Sequence, residues 1–329
     1  MARITIRKVK GIPYYYLDET FKEKGKWVKE SVYFGNKHPD RKELLDAFKE
    51  LKRKCLSRSH IVLVPPLTEY IAGVLAQKLE NARLAKLHFL RKLSQEQREA
   101  FVHRERITFI TESNAIEGSS LTYHATEEII GQRDFLKKKE KKYIITGMGR
   151  EEQEALNLNG SLDRYDKYLQ SNTPLSEKMI LQQHFVLLQN IEGYEKYQGI
   201  YRPVKVYIRG STHEFPEPEH VPRLMKELLE WYNNNDALMH PVELASKFHT
   251  RFTSIHPFAD GNGRMARLLM NYILQQHEFP FTNIPLRRRQ TYMRTQAAAN
   301  TGNHKPFVKF LAQEIIDQHT KPKAQSKKD

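Results

Sequence analysis

The chain has 329 residues, 28% of them charged, with a formal net charge of +15 and a pI near 9.6. That length allows a large core and one or two domains, and no apolar run approaches the roughly 20 residues a membrane helix needs. The single cysteine, Cys55, excludes a disulfide framework or a cysteine-built zinc site within the chain.

The first 36 residues read as β. ITIRKV, YYYLDETF and WVKESVYF are rich in β-branched and aromatic side chains, and KEKGK between the last two suggests a hairpin. Tyr14, Tyr15 and Tyr16 among lysines suit either a small sheet's cover or contact with nucleic acid, and the cover is the better reading. From Pro39 onward the pattern is helical: 40–56, a long stretch to about Arg91, then Ser94 to about Ile110. Further helices are expected at 122–136, 148–170, 176–191, 220–234, 241–254, 264–277, 288–300 and 305–317. In VPRLMKELLEWY, for example, Val221, Leu224, Met225, Leu228, Leu229 and Tyr232 share one face. YRPVKVYIRGSTHEFPEP, 201–218, interrupts this series and reads as a hairpin. The expected class is therefore mainly α, with a hairpin inside the helical part and a small β-rich extension at the N-terminus. No internal repeat is visible.

The basic excess favours acidic partners such as nucleic acid, nucleotides or anionic surfaces, without choosing among them. Part of it lies in the run Lys137 to Lys142 and in the tail after Gln318, where a solvated surface explains it equally well. MARITIRKVK has no apolar core of signal-peptide length, so a soluble, cytoplasmic protein with no membrane partner is expected. Cys55 follows basic residues on a helix and reads as packing.

The densest chemistry is HPFADGNGRMAR, 256–267. It joins an amphipathic helix, with Val242, Ala245, Phe248, Phe252 and Ile255 at helical spacing, to a second, strongly apolar one. His256 precedes a proline and ends the first helix. The second begins with free backbone N–H groups and a partial positive charge. Gly261 and Gly263 admit an anion close to the backbone, and Arg264 and Arg267, three apart, offer two guanidinium forks for a polyphosphate. Asp260 is a hard oxygen ligand suited to Mg²⁺ beside those phosphates. Asn262 can donate to a phosphate oxygen, His256 can take a proton from a hydroxyl near neutral pH, and Phe258 is expected to turn inward. The plainer alternative, a glycine-rich turn with a polar cap and solvent-facing arginines, explains each residue singly but not the ordered set.

This stretch resembles the Fic family signature, His-x-Phe-x-Asp/Glu-Gly-Asn-Gly-Arg-x-x-Arg, at every specified position. VELASKFHTRFTSIHPF is similar to the family's central helix. GIYRPVKVYIRGSTHEFPEPEHVPRLMKELLEW is similar to its β-hairpin flap and the helix after it. YMRTQAAANTGNHKPFVKFL is similar to the segment that completes the nucleotide pocket. The resemblance covers about residues 105–317 and implies a Fic-type helical bundle. It also implies transfer of AMP from ATP to a hydroxyl side chain of a target protein, Ser or Thr more often than Tyr, with release of pyrophosphate. On that resemblance His256 is the general base, Asp260 holds Mg²⁺ (or Mn²⁺ in its place), and Gly261, Asn262 and Gly263 surround the α-phosphate. Arg264 and Arg267 hold the β- and γ-phosphates, Asn300 and Tyr292 lie near the adenosine, and Val206, Tyr207 and Ile208 align the target by strand addition.

TESNAIEGSSLT, 111–122, read alone, is a helix end with a glycine stop. Beside a Fic-like core, Ser113-x-x-x-Glu117-Gly118 resembles the family's inhibitory helix, in which the glutamate pairs with the second arginine, Arg267 here, and excludes the γ-phosphate. The resemblance further implies self-modification, a homodimer, and in some relatives removal of AMP by the same glutamate. The expected organisation is 1–60 as an N-terminal extension, 61–122 as helices ending in the inhibitory one, 123–317 as the catalytic core and 318–329 as a basic, disordered tail.

Rival readings exist at each level. A Fic-type fold can transfer another phosphate-containing group, though the intact Gly-Asn-Gly-Arg-x-x-Arg speaks against a kinase-like variant. A helical metal-dependent phosphohydrolase uses adjacent His-Asp pairs, which the chain lacks; His249 and His256 have no evident third and fourth ligand. A non-enzymatic, nucleotide-sensing regulator would bind nucleic acid through the basic N-terminal region, and a salt-dependent shift with DNA would favour it.

Overall fold

The computed structural model describes residues 2–23, 26–56, 63–138, 148–207 and 213–320. Three strands open the chain, β1 (Arg3–Val9), β2 (Ile12–Glu23) and β3 (Lys26–Gly35), in one antiparallel sheet of order β1-β2-β3. Helix α1 (Arg41–Leu56) lies across one face. Leu17 and Phe21 of the sheet bury against Leu44, Ala47, Phe48, Leu51 and Cys55 of the helix, so the cysteine is indeed packing. Tyr15 and Leu17 share the inner face because side chains alternate along a strand, which sends Tyr14 and Tyr16 outward.

The remaining helices share one larger core. They are α2 (Gly73–Lys92), α3 (Gln95–Glu117), α4 (Tyr123–Lys138), α5 (Arg150–Gln170), α6 (Glu177–Leu187) and α7 (Val221–Asn235). After them come α8 (Pro241–Ile255), α9 (Asn262–Gln276), α10 (Arg289–Asn300) and α11 (Lys305–Thr320). The fold is mainly α, as expected. Helices α8 and α9 pack against each other, and most residues of both are buried, as a central helix pair requires. Leu67 touches both cores, and Leu67 N donates to Leu238 O at 2.9 Å, which docks the small sheet layer on the helical body.

Several expectations need correction. The 201–218 hairpin is absent from the described residues: 201–207 and 213–217 carry no strand, and 208–212, including Ile208, lie outside the description. These arms are joined by Lys205–Glu217 at 2.5 Å and by Arg202 rather than by a strand ladder. The helix expected to stop near Ile110 runs on to Glu117, so Ser113 and Glu117 lie in the last turns of α3, with Gly118 as the expected stop. Its buried face includes Ser113 and Asn114, polar residues that interrupt the apolar spacing. Helix α9 begins at Asn262, two residues before the expected start, so Asn262 and Gly263 belong to its first turn. Helix α11 reaches Thr320, past the expected start of the tail. Residues 321–329 and most of the Lys137 to Lys142 run lie outside the description.

Among the described residues no helix is long and apolar enough to cross a membrane.

Candidate active site

His256 caps α8 with φ +51°, a left-handed backbone that costs a side-chain-bearing residue about 1–2 kcal/mol. The proline that follows forbids helical geometry there, and its surroundings hold the turn in place. His256 N donates to Phe252 O at 2.9 Å, while Arg202 Nε donates to His256 O at 2.7 Å. The imidazole Nδ1 lies 3.3 Å from Thr253 O, which can only accept, so Nδ1 carries the proton and Nε2 keeps the lone pair. Burial, with the Arg202 charge adding to it, lowers the ring's pKa to about 4, so it is neutral at ordinary pH. The Phe215 ring lies 4.4 Å from it.

Phe258 turns fully inward, as expected, and His184 of α6 stacks on it at 3.6 Å. Gly199 N donates to His184 Nδ1, so Nε2 bears the hydrogen and donates to Asp260 O at 3.1 Å. Burial keeps this histidine neutral, with a pKa of about 4. Asn262 spends both ends of its amide on Phe258: its Oδ1 accepts from Phe258 N at 3.0 Å and its Nδ2 donates to Phe258 O at 2.8 Å. These two bonds shape the loop and use one of the two Nδ2 hydrogens. Gly261 has φ +77°, and a Cβ there would lie 3.0 Å from Leu187.

The two arginines are both buried but differ in what they touch. Arg267 Nε donates to Ser113 Oγ at 2.9 Å, and Nη2 donates to Ser113 O and Glu117 Oε1, each at 2.8 Å. Burial alone would lower its pKa, and the Glu117 carboxylate outweighs that and raises it. Arg264 Nε and Nη1 have no hydrogen-bond partner among the described residues. Its nearest charges, Glu154 at 3.5 Å and Asp260 at 3.7 Å, stand beyond bonding distance. Buried guanidinium hydrogens left open in this way call for an acceptor.

The Glu117 carboxylate sits over the first turn of α9. A Cβ on Gly263 would come within 2.1 Å of its Oε1. One internal carboxylate therefore occupies the positive end of α9, which is where an anion binds best. Gly118, φ +113°, stops α3 immediately afterwards. Glu151 of α5 accepts from Ser119 and Ser120 just beyond that stop.

Asp260 Oδ2 pairs with Arg150 Nη2 at 2.8 Å, and Oδ1 accepts from Gly261 N at 2.6 Å. Among the described residues no group of three or more His, Cys, Asp or Glu could cage a metal. The half-buried Asp260 carboxylate is one hard oxygen donor, of the kind a divalent cation completed by phosphate oxygens and water can use. His249 does not join His256; its Nε2 meets Tyr292 Oη at 3.0 Å and its ring stacks on Phe307.

Of the two residues expected near an adenosine, Tyr292 is buried, with its hydroxyl 3.5 Å from Arg267 Nη1, and acts as a wall behind the arginine. Asn300 Oδ1 accepts from Ser254 Oγ at 2.7 Å and is half-buried. Tyr207 is exposed and Val206 half-buried.

Sequence reading missed Arg202, His184, Arg150 and Glu154. Arg202 is the hub among them: it donates to the carbonyls of His256, Val204 and Pro216, and so ties the histidine's backbone to both arms of the 201–217 segment. Its only sequence signal is its place before Pro203.

Comparison with known proteins adds the context. Residues 174–274 match the Fic/DOC family. The chain is 34% identical over 206 residues to protein adenylyltransferase Fic of Nematostella vectensis, covering 62% of this chain and 45% of that protein. It is 31% identical over 208 residues to protein adenylyltransferase fic-1 of Caenorhabditis elegans, covering 62% of this chain and 38% of that one. The chain thus spans less than half the length of these curated relatives. Among solved structures, a Fic-domain signalling protein from Bacteroides thetaiotaomicron is similar at a TM-score of 0.60 and 27% identity, over 74% of this chain and 95% of that one. A Fic-1 structure from Caenorhabditis elegans is similar at 0.61 and 25%, over 74% and 70% of the two chains.

Proposed function

We propose that this chain, which carries a Fic domain over residues 174–274, is a protein adenylyltransferase held inactive by its own Glu117. The observation that carries the reading is the Glu117 carboxylate at the start of α9, bound to Arg267 beside an Arg264 whose donors stand open. A built-in anion on a polyphosphate cradle is an inhibitor placed where the nucleotide belongs.

In the proposed reaction a target hydroxyl attacks the α-phosphorus of ATP. The new O–P bond forms as the bond from the α-phosphorus to the bridging oxygen breaks, and pyrophosphate leaves. His256 Nε2 takes the hydroxyl proton, for which its neutral state and fixed tautomer suit it. The backbone N–H groups of Gly261, Asn262 and Gly263 stabilise the α-phosphate oxygens. Arg264 and Arg267 bind the β- and γ-phosphates once Glu117 has left. Asp260 would hold a Mg²⁺, or Mn²⁺ in its place, which supplies charge neutralisation to the phosphates. Val206, Tyr207 and Ile208 align the target backbone, and Asn300 faces the adenosine. The acceptor is a Ser or Thr of a target protein or of this chain itself. Reversal, with Glu117 positioning water, belongs to the same proposal, as does a homodimeric resting form.

The test uses ATP labelled at the α-phosphate and, separately, at the γ-phosphate, with Mg²⁺. Wild type, Glu117→Gly and Glu117→Gly/His256→Ala are incubated with each. Alpha label on protein in the single variant alone supports AMP transfer, restraint by Glu117 and dependence on His256 together. Gamma label in its place would move the chemistry to phosphoryl transfer, and equal alpha label in wild type would remove the restraint.

A further inference from the structure

The sheet at the N-terminus has two faces, and α1 covers only one. The inner face is filled by Leu17 and Phe21. A layer that merely shielded the core would turn its aromatic rings the same way. Here Tyr14, Tyr16, Tyr33 and Trp27 lie on the other side, by the register Tyr16↔Tyr33 and Lys22↔Trp27. Trp27 is 70% exposed and Tyr33 56%. The rings form a contiguous set, with Tyr16 and Tyr33 5.1 Å apart and Tyr14 and Tyr33 6.2 Å apart.

Cations stand among these rings. The Arg7 guanidinium lies 3.8 Å above the Tyr16 ring, and Lys22 Nζ lies 5.1 Å from that of Trp27. Asp18 organises the middle of the face: it accepts from Thr5 and Ser31 and pairs with both Arg7 and Lys29. Burial would raise its pKa, but these partners lower it to about 2, so it stays charged and keeps two longer cations in place. Two cations around one anion, with Arg3 and Lys22 beside them, leave the face positive. Residues 1–56 hold fifteen Lys and Arg against eight Asp and Glu, nearly half of the chain's +15 in about a sixth of its length.

We propose that this outer face binds single-stranded nucleic acid, with bases stacking on Tyr33 and Trp27 and phosphates meeting Arg7, Lys22 and Lys29. Exposed rings bracketed by fixed cations match a strand that offers base faces and phosphates in alternation. A duplex hides its base faces. Its major groove, about 12 Å wide, suits a helix or two strands, whereas three strands span roughly 10 Å between their outer backbones before side chains are added.

The test is fluorescence anisotropy of the full chain with a labelled 20-nucleotide single-stranded DNA, against the same sequence as a duplex and with heparin as competitor. Three phosphate contacts predict that affinity falls about 20-fold between 50 and 200 mM salt. Tyr33→Ala should weaken binding at least about fivefold. Intrinsic fluorescence supplies a second readout. The chain has two tryptophans, and Trp231 lies under Arg251, 4.1 Å from its guanidinium. Quenching by the oligonucleotide should therefore vanish in Trp27→Phe while binding persists. Thermal unfolding of both variants should match wild type, since neither side chain supports a core. Duplex binding as tight as single-strand binding, affinity unchanged in Tyr33→Ala, or no binding at 50 mM salt would each overturn the proposal.

Discussion

The loop between α8 and α9 and the end of α3 both adjoin the first turns of α9, yet they are held by different means. The loop is tied down on every side. Phe258 is locked under His184, Asn262 closes on Phe258, Arg202 holds the His256 carbonyl, and His184 holds that of Asp260. The end of α3 is seated by the buried Ile116, and its contacts with the site are polar: Ser113 and Glu117 on Arg267, and Arg289 Nε on the Ile116 carbonyl. Groups that must meet a substrate at fixed distances are over-determined by packing. On the proposed function Glu117 must leave, and the hydrogen bonds that attach it are ones an incoming phosphate can replace.

Breaking the fixed side should have the largest consequence. In a Glu117→Gly background, His256→Ala is expected to cut α-label transfer by roughly 10²–10⁴-fold, the contribution of a positioned base. Retention of more than a tenth of the rate would move the proton acceptor elsewhere. Arg202→Met should follow, at about 100-fold in kcat, because three carbonyls lose their shared donor and the histidine is free to shift by about an ångström. KM for ATP should change little, and a loss seen in KM alone would mark Arg202 as a nucleotide contact instead.

Breaking the removable side should raise activity. Glu117→Gly is expected to increase the rate of labelling by at least about tenfold, equivalent to 1.4 kcal/mol of restraint. Ser113→Ala removes one bond that anchors Arg267 in the restrained arrangement, and a gain of about fivefold is expected, the worth of a single hydrogen bond. A larger gain from Ser113 than from Glu117 would reverse the roles assigned to them.

The smallest effect on transfer concerns pH. His184 and His256 are neutral in the folded protein, with values lowered from about 6.5 to about 4. The unfolded chain binds their protons first, so folding stability is flat above pH 6.5 and declines as pH falls from 6.5 toward 4. Thermal unfolding at half-unit steps checks this, and a maximum below pH 5 would contradict it. By the same values, transfer should show no titration between pH 6 and 8 from His256.

The loop was legible in the sequence because its chemistry is contiguous: twelve residues carry the base, the carboxylate, the glycines and both arginines. Glu117 was singled out only through the family resemblance, since its stretch read alone is a helix end with a glycine stop. The length of α3 was not legible, since Ser113 and Asn114 are polar yet buried, and the apolar period breaks where the helix does not. Arg202 and His184 were invisible, because a buried arginine or histidine differs from an exposed one only by what the fold places around it. The 204–208 stretch alternates like a strand, but alternation specifies a face and not a partner, and neither described arm supplies a ladder. The three-strand layer was read correctly as strands, whereas which side of it faces outward depended on the helix that covers the other.

Gly263 carries a consequence for selection. A side chain there would collide with the Glu117 carboxylate, and on the proposed function it would equally stand where a phosphate binds. On that reading position 263 is constrained in the silent and the working states alike, and its variants lose both. On the same reading position 117 is constrained by the restraint and by reversal, and not by AMP transfer. A screen for gain of function should fill with changes at 117 and 113 and return none at 263, although the two residues are in contact. Such a screen would separate the genetics of restraint from the genetics of catalysis without a purified protein.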